Sequence, residues 1–181
     1  MSKIFAVLFI LTISLSSSAE TAIWQDVKPG SIAGSGPRRI IPKAYRTVHL
    51  NKEALRQLLA RAPMEFTKAA RKSAVVLAIP MPNGRWARFR IQESPISAPD
   101  PSGKVTDFKS YSGQGIDDPT ATLRCDFSRA GFHAQILSTS EAVYIDPYAT
   151  GDTTNYISYD KRDLPGKSKL SEPPLSRSSG K

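Results

Sequence analysis

The fold is decided by the stretch Ala121–Leu137, which reads ATLRCDFSRAGFHAQIL. Leu123, Cys125 and Phe127 alternate with polar residues, and side chains that alternate in this way point to opposite faces of a β-strand. The turn residues Ser128–Gly131 end this pattern, and a second run rich in apolar residues follows them. The stretch therefore predicts two short antiparallel strands that place one face in a core.

Runs of the same kind continue on both sides of this hairpin. Strand-like runs at short intervals, separated by turn residues, are typical of antiparallel all-β proteins. Breaks are predicted at Gly113–Gly115 and Ser138–Glu141, and the Asn-Gly pair within Pro82–Arg85 is a strong hairpin signal. The predicted strands are Tyr45–Leu50, Ala74–Ile79, Trp86–Ile91, Phe108–Tyr111, Ala121–Phe127, Phe132–Leu137, Ala142–Ile145 and Asn155–Tyr159.

One helix is predicted over Lys52–Ala62, where leucines recur at helical spacing. Asn51 is a suitable N-cap for it, and Pro63 stops it. Together with the strands, this helix predicts a mainly β protein with a minor α+β character. The expected architecture is an antiparallel β-sandwich or a partly closed barrel with one N-terminal helix.

The composition fits one folded domain with tails. Of 181 residues, 40% are hydrophobic and 23% are charged, and 25 Lys and Arg against 16 Asp and Glu give a net charge of +9. The 14 prolines argue against a bundle of long helices. A single cysteine excludes an intrachain disulfide framework, and with only two histidines it also argues against a self-sufficient catalytic metal site.

The first nineteen residues have the pattern of a secretory signal peptide. Lys3 supplies a positive charge, the apolar run Ile4–Leu15 follows, and small residues end at Ala19. The alternative is a membrane anchor, but the run is about 12 residues long, whereas a spanning helix needs roughly 20. We expect cleavage after Ala19 and a secreted or periplasmic chain that then has no contact with a membrane.

The rest of the chain divides into three predicted parts. Residues 20–44 contain much Gly, Ser and Pro and are expected to be a flexible leader. Residues 45–163 hold the predicted strands and form the β domain. Residues 164–181 are polar and basic, and we expect a disordered tail.

Three arginines, Arg85, Arg88 and Arg90, form a candidate basic patch beside Trp86 at the rim of a predicted strand. Such a patch can bind an anionic polymer or surface. The alternative is that positive charge protects a strand edge against aggregation. The other basic residues are scattered, which is typical of a solvated surface, and no nucleic-acid partner is expected.

Hydrolytic and metal sites have little support in the sequence. Asp117 and Asp118 are adjacent carboxylates. Together with His133 they are the candidate site of one hypothesis, in which the protein is a metal-dependent hydrolase. Because Pro119 follows directly, side-chain hydrogen bonds within a turn are the better interpretation of the two aspartates. We predict that the chain is not an enzyme and has no catalytic residue, no metal site and no cofactor.

The single thiol of Cys125 has three possible roles. It can be a small buried hydrophobe, a partner in a disulfide between chains, or a thiolate that reaches zinc. Cys125 shares its predicted strand face with Leu123 and Phe127, so burial is favoured.

Three segments, in a fixed order, resemble a known family. They are Tyr111–Arg124 (YSGQGIDDPTATLR), Gly131–Ser138 (GFHAQILS) and Val143–Tyr148 (VYIDPY). The pattern resembles the propeptide domain of reprolysin-type (adamalysin) zinc metalloproteases, in the form of secreted bacterial members. The likeness extends over roughly Val48–Asp163, and its specific part is Lys109–Tyr148.

The resemblance implies a prosegment that helps a protease domain to fold and keeps it latent until cleavage. The implied partner is the catalytic domain of a zinc metalloprotease. In the family, the zinc-blocking thiol lies in a short segment with Pro and Gly, whereas Cys125 lies in a predicted strand. The family continues into a protease domain where this chain has its polar tail. We therefore expect a domain that binds, inhibits or assists the folding of a metalloprotease, or a truncated remnant of one.

Residues of these segments are candidates for protein contact. Glycines allow close approach or a positive φ, tyrosines can anchor an interface or pack at the rim of the core, and Arg124 can pair with Asp126 or Asp146 or meet a partner. The alternative function remains an extracellular or periplasmic module for anionic polymers. The candidate contact residues are Tyr111, Gly113, Gly115, Asp117, Asp118, Arg124, Tyr144 and Tyr148.

Overall fold

Nine β-strands and two short α-helices make up the part of the chain that the computed structural model describes, which is residues 23–32, 36–96 and 108–165. Single-turn 3-10 helices lie at Pro29–Ser31 and Lys161–Asp163. The strands and helices are β1 (Trp24–Asp26), β2 (Arg46–Leu50), α1 (Lys52–Leu59), α2 (Lys68–Arg71), β3 (Val76–Pro80), β4 (Trp86–Glu93), β5 (Lys109–Gly115), β6 (Thr122–Ser128), β7 (Gly131–Leu137), β8 (Ala142–Pro147) and β9 (Asn155–Asp160).

All nine strands belong to one antiparallel sheet with the order β1-β2-β9-β8-β7-β6-β5-β4-β3. From β3 to β9 each strand pairs with the next one in sequence, and β2 joins the sheet beside the last strand. The sheet curls into a nearly closed barrel, as the right-handed twist of many adjacent strands favours. The mainly β prediction is confirmed, and of its two architectures the structure adopts the barrel.

A side chain joins the two edge strands, β1 and β3. The indole Nε1 of Trp24 donates a hydrogen bond of 3.0 Å to the carbonyl oxygen of Ala78. Trp24 is only 1% exposed and lies edge-on to Phe132 and Tyr156, with ring centroids 5.4 and 5.9 Å away. We call this junction of β1 with β3 the seam.

Arg46 supports the seam from β2. Its guanidinium donates to the carbonyl oxygens of Met81 and Arg85, at 3.3 and 3.0 Å, and lies 4.5 Å from the ring centroid of Trp86. Asp26 accepts two further hydrogen bonds from the same guanidinium, at 2.6 and 2.9 Å. These bonds lower the pKa of the Asp26 carboxyl. Arg46 thus connects β1 and β2 to the β3–β4 hairpin.

Apolar side chains from alternate strand positions fill the core. The predicted inward face of β6 is confirmed, since Leu123 and Cys125 are buried and Phe127 packs against the core. In β4, Phe89 and Ile91 are also buried, as their parity predicts. The barrel core and the alternation that builds it therefore follow from the sequence pattern.

Helix α1 packs three leucines against this core. Asn51 caps the helix as predicted, because its side-chain oxygen accepts a hydrogen bond of 3.0 Å from the amide of Ala54. The helix ends at Leu59 rather than at the predicted Ala62, and Ala62 instead closes a tighter turn onto the carbonyl of Leu59. The core leucines of the helix are Leu55, Leu58 and Leu59.

The segment 20–44, expected to be a flexible leader, contains a strand and several contacts with the barrel in its described part. Trp24–Asp26 forms a strand because the indole of Trp24 is buried and hydrogen bonded in the seam. Further along, the guanidinium of Arg38 lies between two tyrosine rings, 4.8 Å from the centroid of Tyr45 and 4.4 Å from that of Tyr148. The amide of Lys43 also donates to a backbone carbonyl near the end of the domain.

The predicted break at Gly113–Gly115 is also wrong, since these residues belong to β5. A Cβ at Gly113 would come within 3.1–3.2 Å of side-chain atoms of Phe89, Ile91 and Leu123. Close packing inside the barrel therefore favours glycine there, and the strand continues through it. The short helix α2 was not predicted either.

Some predictions fall on residues that the structure does not describe. The signal peptide, its alternative as an anchor and the cleavage after Ala19 lie outside the described residues, as does nearly all of the tail over 164–181. Among the described helices, none has the length and apolar character needed to cross a membrane.

Candidate functional site

The side chain of Tyr111 is buried, and Gly113 and Gly115 are closely packed by their neighbours. Tyr111 is 3% exposed, and its burial raises the pKa of its phenol to about 12. A side chain at Gly115 would overlap the carbonyl oxygen of Asp118 in the following turn. Close approach is thus confirmed for both glycines, but neither has a positive φ. Among the described glycines, a positive φ occurs at Gly84, Gly131 and Gly151.

The two adjacent aspartates have separate structural partners. Asp117 accepts from the guanidinium of Arg88 at 2.6 Å and from its amide at 3.1 Å. Asp118 accepts from the amide and the hydroxyl of Thr120, at 2.9 and 2.7 Å, in the turn geometry that the sequence predicts. These hydrogen bonds lower the pKa of both carboxyls.

The structure does not bring these aspartates together with His133. They follow β5 at the end of the sheet where Thr122 pairs with Leu137, whereas His133 pairs with Asp126 further toward the opposite end. No group of three or more His, Cys, Asp or Glu residues within the described ranges is placed to hold a metal ion. The arrangement required by the hydrolase hypothesis is therefore absent from this part of the chain.

The predicted basic patch is divided. Arg88 forms the ion pair with Asp117, and Arg85, in the preceding turn, lies 3.9 Å from a carboxylate oxygen of Glu141. Arg90 is exposed on the outer face of β4. The three arginines therefore do not act as one ladder.

Cys125 is buried in the barrel interior, as the sequence predicts. It is 5% exposed, and desolvation raises the pKa of its thiol far above its ordinary value. A thiol in this position is a core side chain and does not reach a second chain or a zinc ion.

A hydrogen-bonded cluster that the sequence reasoning missed lies on the outer face of β7, β8 and β9. The carboxylate of Asp146 bonds the Nδ1 of His133 at 2.8 Å with one oxygen and accepts from the hydroxyl of Tyr159 at 2.7 Å with the other. The ring of Tyr144 stacks on that of Tyr159, with centroids 5.8 Å apart, and its hydroxyl accepts from Gln135 at 3.0 Å. We call these five residues the outer-face cluster.

The electrostatics of the outer-face cluster favour a protonated histidine. The hydrogen bond to Asp146 raises the pKa of His133. Burial raises the pKa of the neighbouring Asp126, and burial together with Asp146 raises that of the Tyr159 phenol. A parity argument could have found the cluster, because His133, Asp146 and Tyr159 all occupy outward positions on consecutive strands.

Three of the candidate contact residues, Tyr111, Arg124 and Tyr144, lie beside this cluster. They line one cavity of about 240 Å³ together with the histidine and its aspartate. Arg124 donates to the hydroxyl of Ser94 at 3.0 Å, and among the described residues it forms an ion pair with neither Asp126 nor Asp146. The guanidinium of Arg38 lies over the ring of the remaining candidate, Tyr148.

The side chains that line the cavity include hydrogen-bond donors and acceptors, and they carry both positive and negative charges. Asp146 fixes one ring nitrogen of His133, and within the described residues the other ring nitrogen has no hydrogen-bond partner. The His133 side chain is 40% exposed, so a molecule on this face can reach it. The arrangement is chemically suited to polar contact with a surface.

No family model, no curated protein and no solved structure matches this chain. The likeness to a metalloprotease propeptide therefore depends on the three sequence segments alone. These segments, Tyr111–Arg124, Gly131–Ser138 and Val143–Tyr148, contribute to four consecutive strands, β5 to β8.

Proposed function

We propose that this chain is an exported, non-catalytic domain that binds the catalytic domain of a reprolysin-type zinc metalloprotease and inhibits it or assists its folding. The proposal depends on one observation, the polar surface on the outer face of β5 to β8. The segments that carry the family resemblance make up these strands, and their outward side chains form a connected polar surface.

The chemistry of this face suits protein recognition. Tyrosine and arginine are enriched where interfaces gain most of their binding energy, and here Tyr144 and Arg124 line one cavity. Both are held by hydrogen bonds to other side chains, which lowers the entropy cost of ordering them on binding. The cavity of about 240 Å³ is smaller than the roughly 300–1,000 Å³ typical of small-molecule sites.

The alternative function, a module for anionic polymers, depended on Arg85, Arg88 and Arg90 acting together. Asp117 neutralises Arg88, and Glu141 lies near Arg85. This division of the patch removes the main support for that alternative.

The test is binding of the purified chain to a purified reprolysin-type catalytic domain. We expect micromolar or tighter affinity by titration calorimetry, with slower peptide hydrolysis or a higher refolding yield of the protease. The Tyr144→Ala variant should bind at least tenfold more weakly because it removes an anchor from the face. Tyr45→Ala, which removes a ring outside that face, is the matched control and should bind within twofold of the unmodified chain.

The proposal fails if the unmodified chain shows no binding, no inhibition and no refolding assistance at 10 μM, a concentration about tenfold above the expected micromolar range. It also fails if the two tyrosine variants weaken binding equally, because the outer face would then have no special part in the contact. Thermal unfolding of each variant separates loss of contact from loss of fold.

A further inference from the structure

A second cavity, of about 400 Å³, adjoins the first on the outer face of β4, β5 and β6. Three arginines line it, Arg71 from α2, Arg90 from β4 and Arg124 from β6, and all three are exposed. The described residues that line it include no carboxylate. We call this cavity the arginine groove.

None of these arginines forms an ion pair with a carboxylate of the described part of the chain. This contrasts with the basic residues around the groove, since Arg88 pairs with Asp117 and Lys109 pairs with Glu93. Like charges that converge repel each other, and an anionic partner relieves that repulsion. The groove therefore has a positive charge that the surrounding residues do not neutralise.

Polar uncharged groups complete the groove and are already fixed in place. The side-chain amide of Gln92 donates to the hydroxyl of Ser112 at 3.2 Å. The amide nitrogen of Gln114 donates to the carbonyl of Pro119 at 2.7 Å, so its own carbonyl oxygen is oriented away from that bond. Amides and hydroxyls of this kind can bond the backbone of a bound peptide.

Carboxylates line the cavity that adjoins the groove. They belong to Asp126 and Asp146, and this cavity shares Arg124 with the groove. Asp117 pairs with Arg88, which precedes Arg90 by two residues in β4. A long, uniformly negative polymer that passed through the groove would meet these carboxylates. A short acidic segment of a protein, with neutral or basic residues on either side, matches this charge pattern.

We propose that the arginine groove binds the carboxylate side chains of a short acidic segment of the partner protein. This inference deepens the proposed function and rests on it, because it names the chemistry of the partner surface that meets the outer face. The planar guanidinium groups of Arg71 and Arg90 suit two-point hydrogen bonding to carboxylates.

The test compares two charge-matched double variants. Arg71→Glu with Arg90→Glu reverses the charge of the groove, whereas Arg61→Glu with Lys161→Glu makes the same change in net charge at exposed positions that do not line it. The probe is a synthetic peptide with three glutamates separated by glycines, measured by fluorescence anisotropy. We expect the groove variant to lose at least tenfold in affinity and the control variant to stay within twofold of the unmodified chain.

Three results would overturn the inference: no binding of the acidic peptide by the unmodified chain, equal loss in the two double variants, or stronger binding of a heparin-derived octasaccharide than of the peptide. Titration with the metalloprotease catalytic domain distinguishes this failure from failure of the proposed function. If that domain binds the unmodified chain and the groove variant equally, the groove inference is wrong and the proposed function stands. If it binds neither but the acidic peptide still binds specifically, the groove is supported and the metalloprotease proposal is wrong.

Discussion

The carboxylate of Asp146 connects two side chains that lie far from it in sequence, His133 and Tyr159. Because the hydrogen bond to Asp146 raises the pKa of His133 in the folded state, protonation of this histidine stabilises the fold. That stabilisation is fully present below the ordinary histidine pKa of about 6.5 and is lost as the pH rises through the folded value. Burial also raises the pKa of the nearby Asp126, so its deprotonation lowers the stability of the fold in the same direction, as the pH rises.

We therefore predict that the urea midpoint of unfolding falls between pH 6 and pH 8, and that His133→Gln reduces this fall. The matched control is His49→Gln, which removes the only other histidine and should keep the pH dependence of the unmodified chain. Equal pH dependence in the His133→Gln variant and the unmodified chain would contradict the assignment of the shift to the Asp146 contact.

Among the elements, α1 and α2 differ in what their N-caps support. Asn51 caps a helix that buries three leucines, whereas Thr67 caps the four-residue helix α2, which has no buried residue. We expect Asn51→Ala to lower the free energy of unfolding by about 1 kcal/mol and Thr67→Ala by about 0.5 kcal/mol. Chemical denaturation of both variants measures the two losses in the free energy of unfolding. A larger loss for Thr67→Ala than for Asn51→Ala would contradict this order and show that the cap of α1 is not the more important one.

The sequence predicts an element well where its signal is local. Period-two alternation identifies eight strands because each has several residues with one face in the core. It misses β1, since Trp24–Asp26 is too short for a period and is held by the contact of Trp24 with Ala78. It misreads Gly113, because a glycine favoured by close packing inside a barrel has the same sequence signal as a turn residue.

Across the whole molecule, the candidate sites depend on register, and local patterns do not reveal register. His133, Asp146 and Tyr159 meet only because β7, β8 and β9 pair in one particular alignment. The arginine groove combines Arg71 from a short helix with Arg124 from β6, and no spacing in the sequence links them. The sequence therefore predicts the barrel class and the buried thiol, but not which outward polar side chains lie opposite one another on neighbouring strands.

Closure of the barrel gives a prediction for the molecule as a whole. Trp24→Phe keeps most of the buried ring but leaves the Ala78 carbonyl without its partner, which should cost about 1–3 kcal/mol in the free energy of unfolding. Trp86→Phe is the matched control, and loss of its contact with Arg46 should cost at most about 1 kcal/mol.

Hydrogen exchange measures where that stability is lost. In the Trp24→Phe variant, amide exchange should accelerate at β1 and β3 more than at β6 and β7, because only the first pair borders the seam. Uniform acceleration over the sheet would show that Trp24 supports the core in general and does not close the barrel.

The position of β9 between β2 and β8 has a consequence for biogenesis. Among the described strands, the one synthesised last joins the first two strands to the rest of the sheet, so one edge of Arg46–Leu50 stays unpaired until Asp160 has been synthesised. An unpaired strand edge invites pairing with other chains. A nascent copy that stalls before this point thus carries an open strand edge on β2 with which another chain can pair.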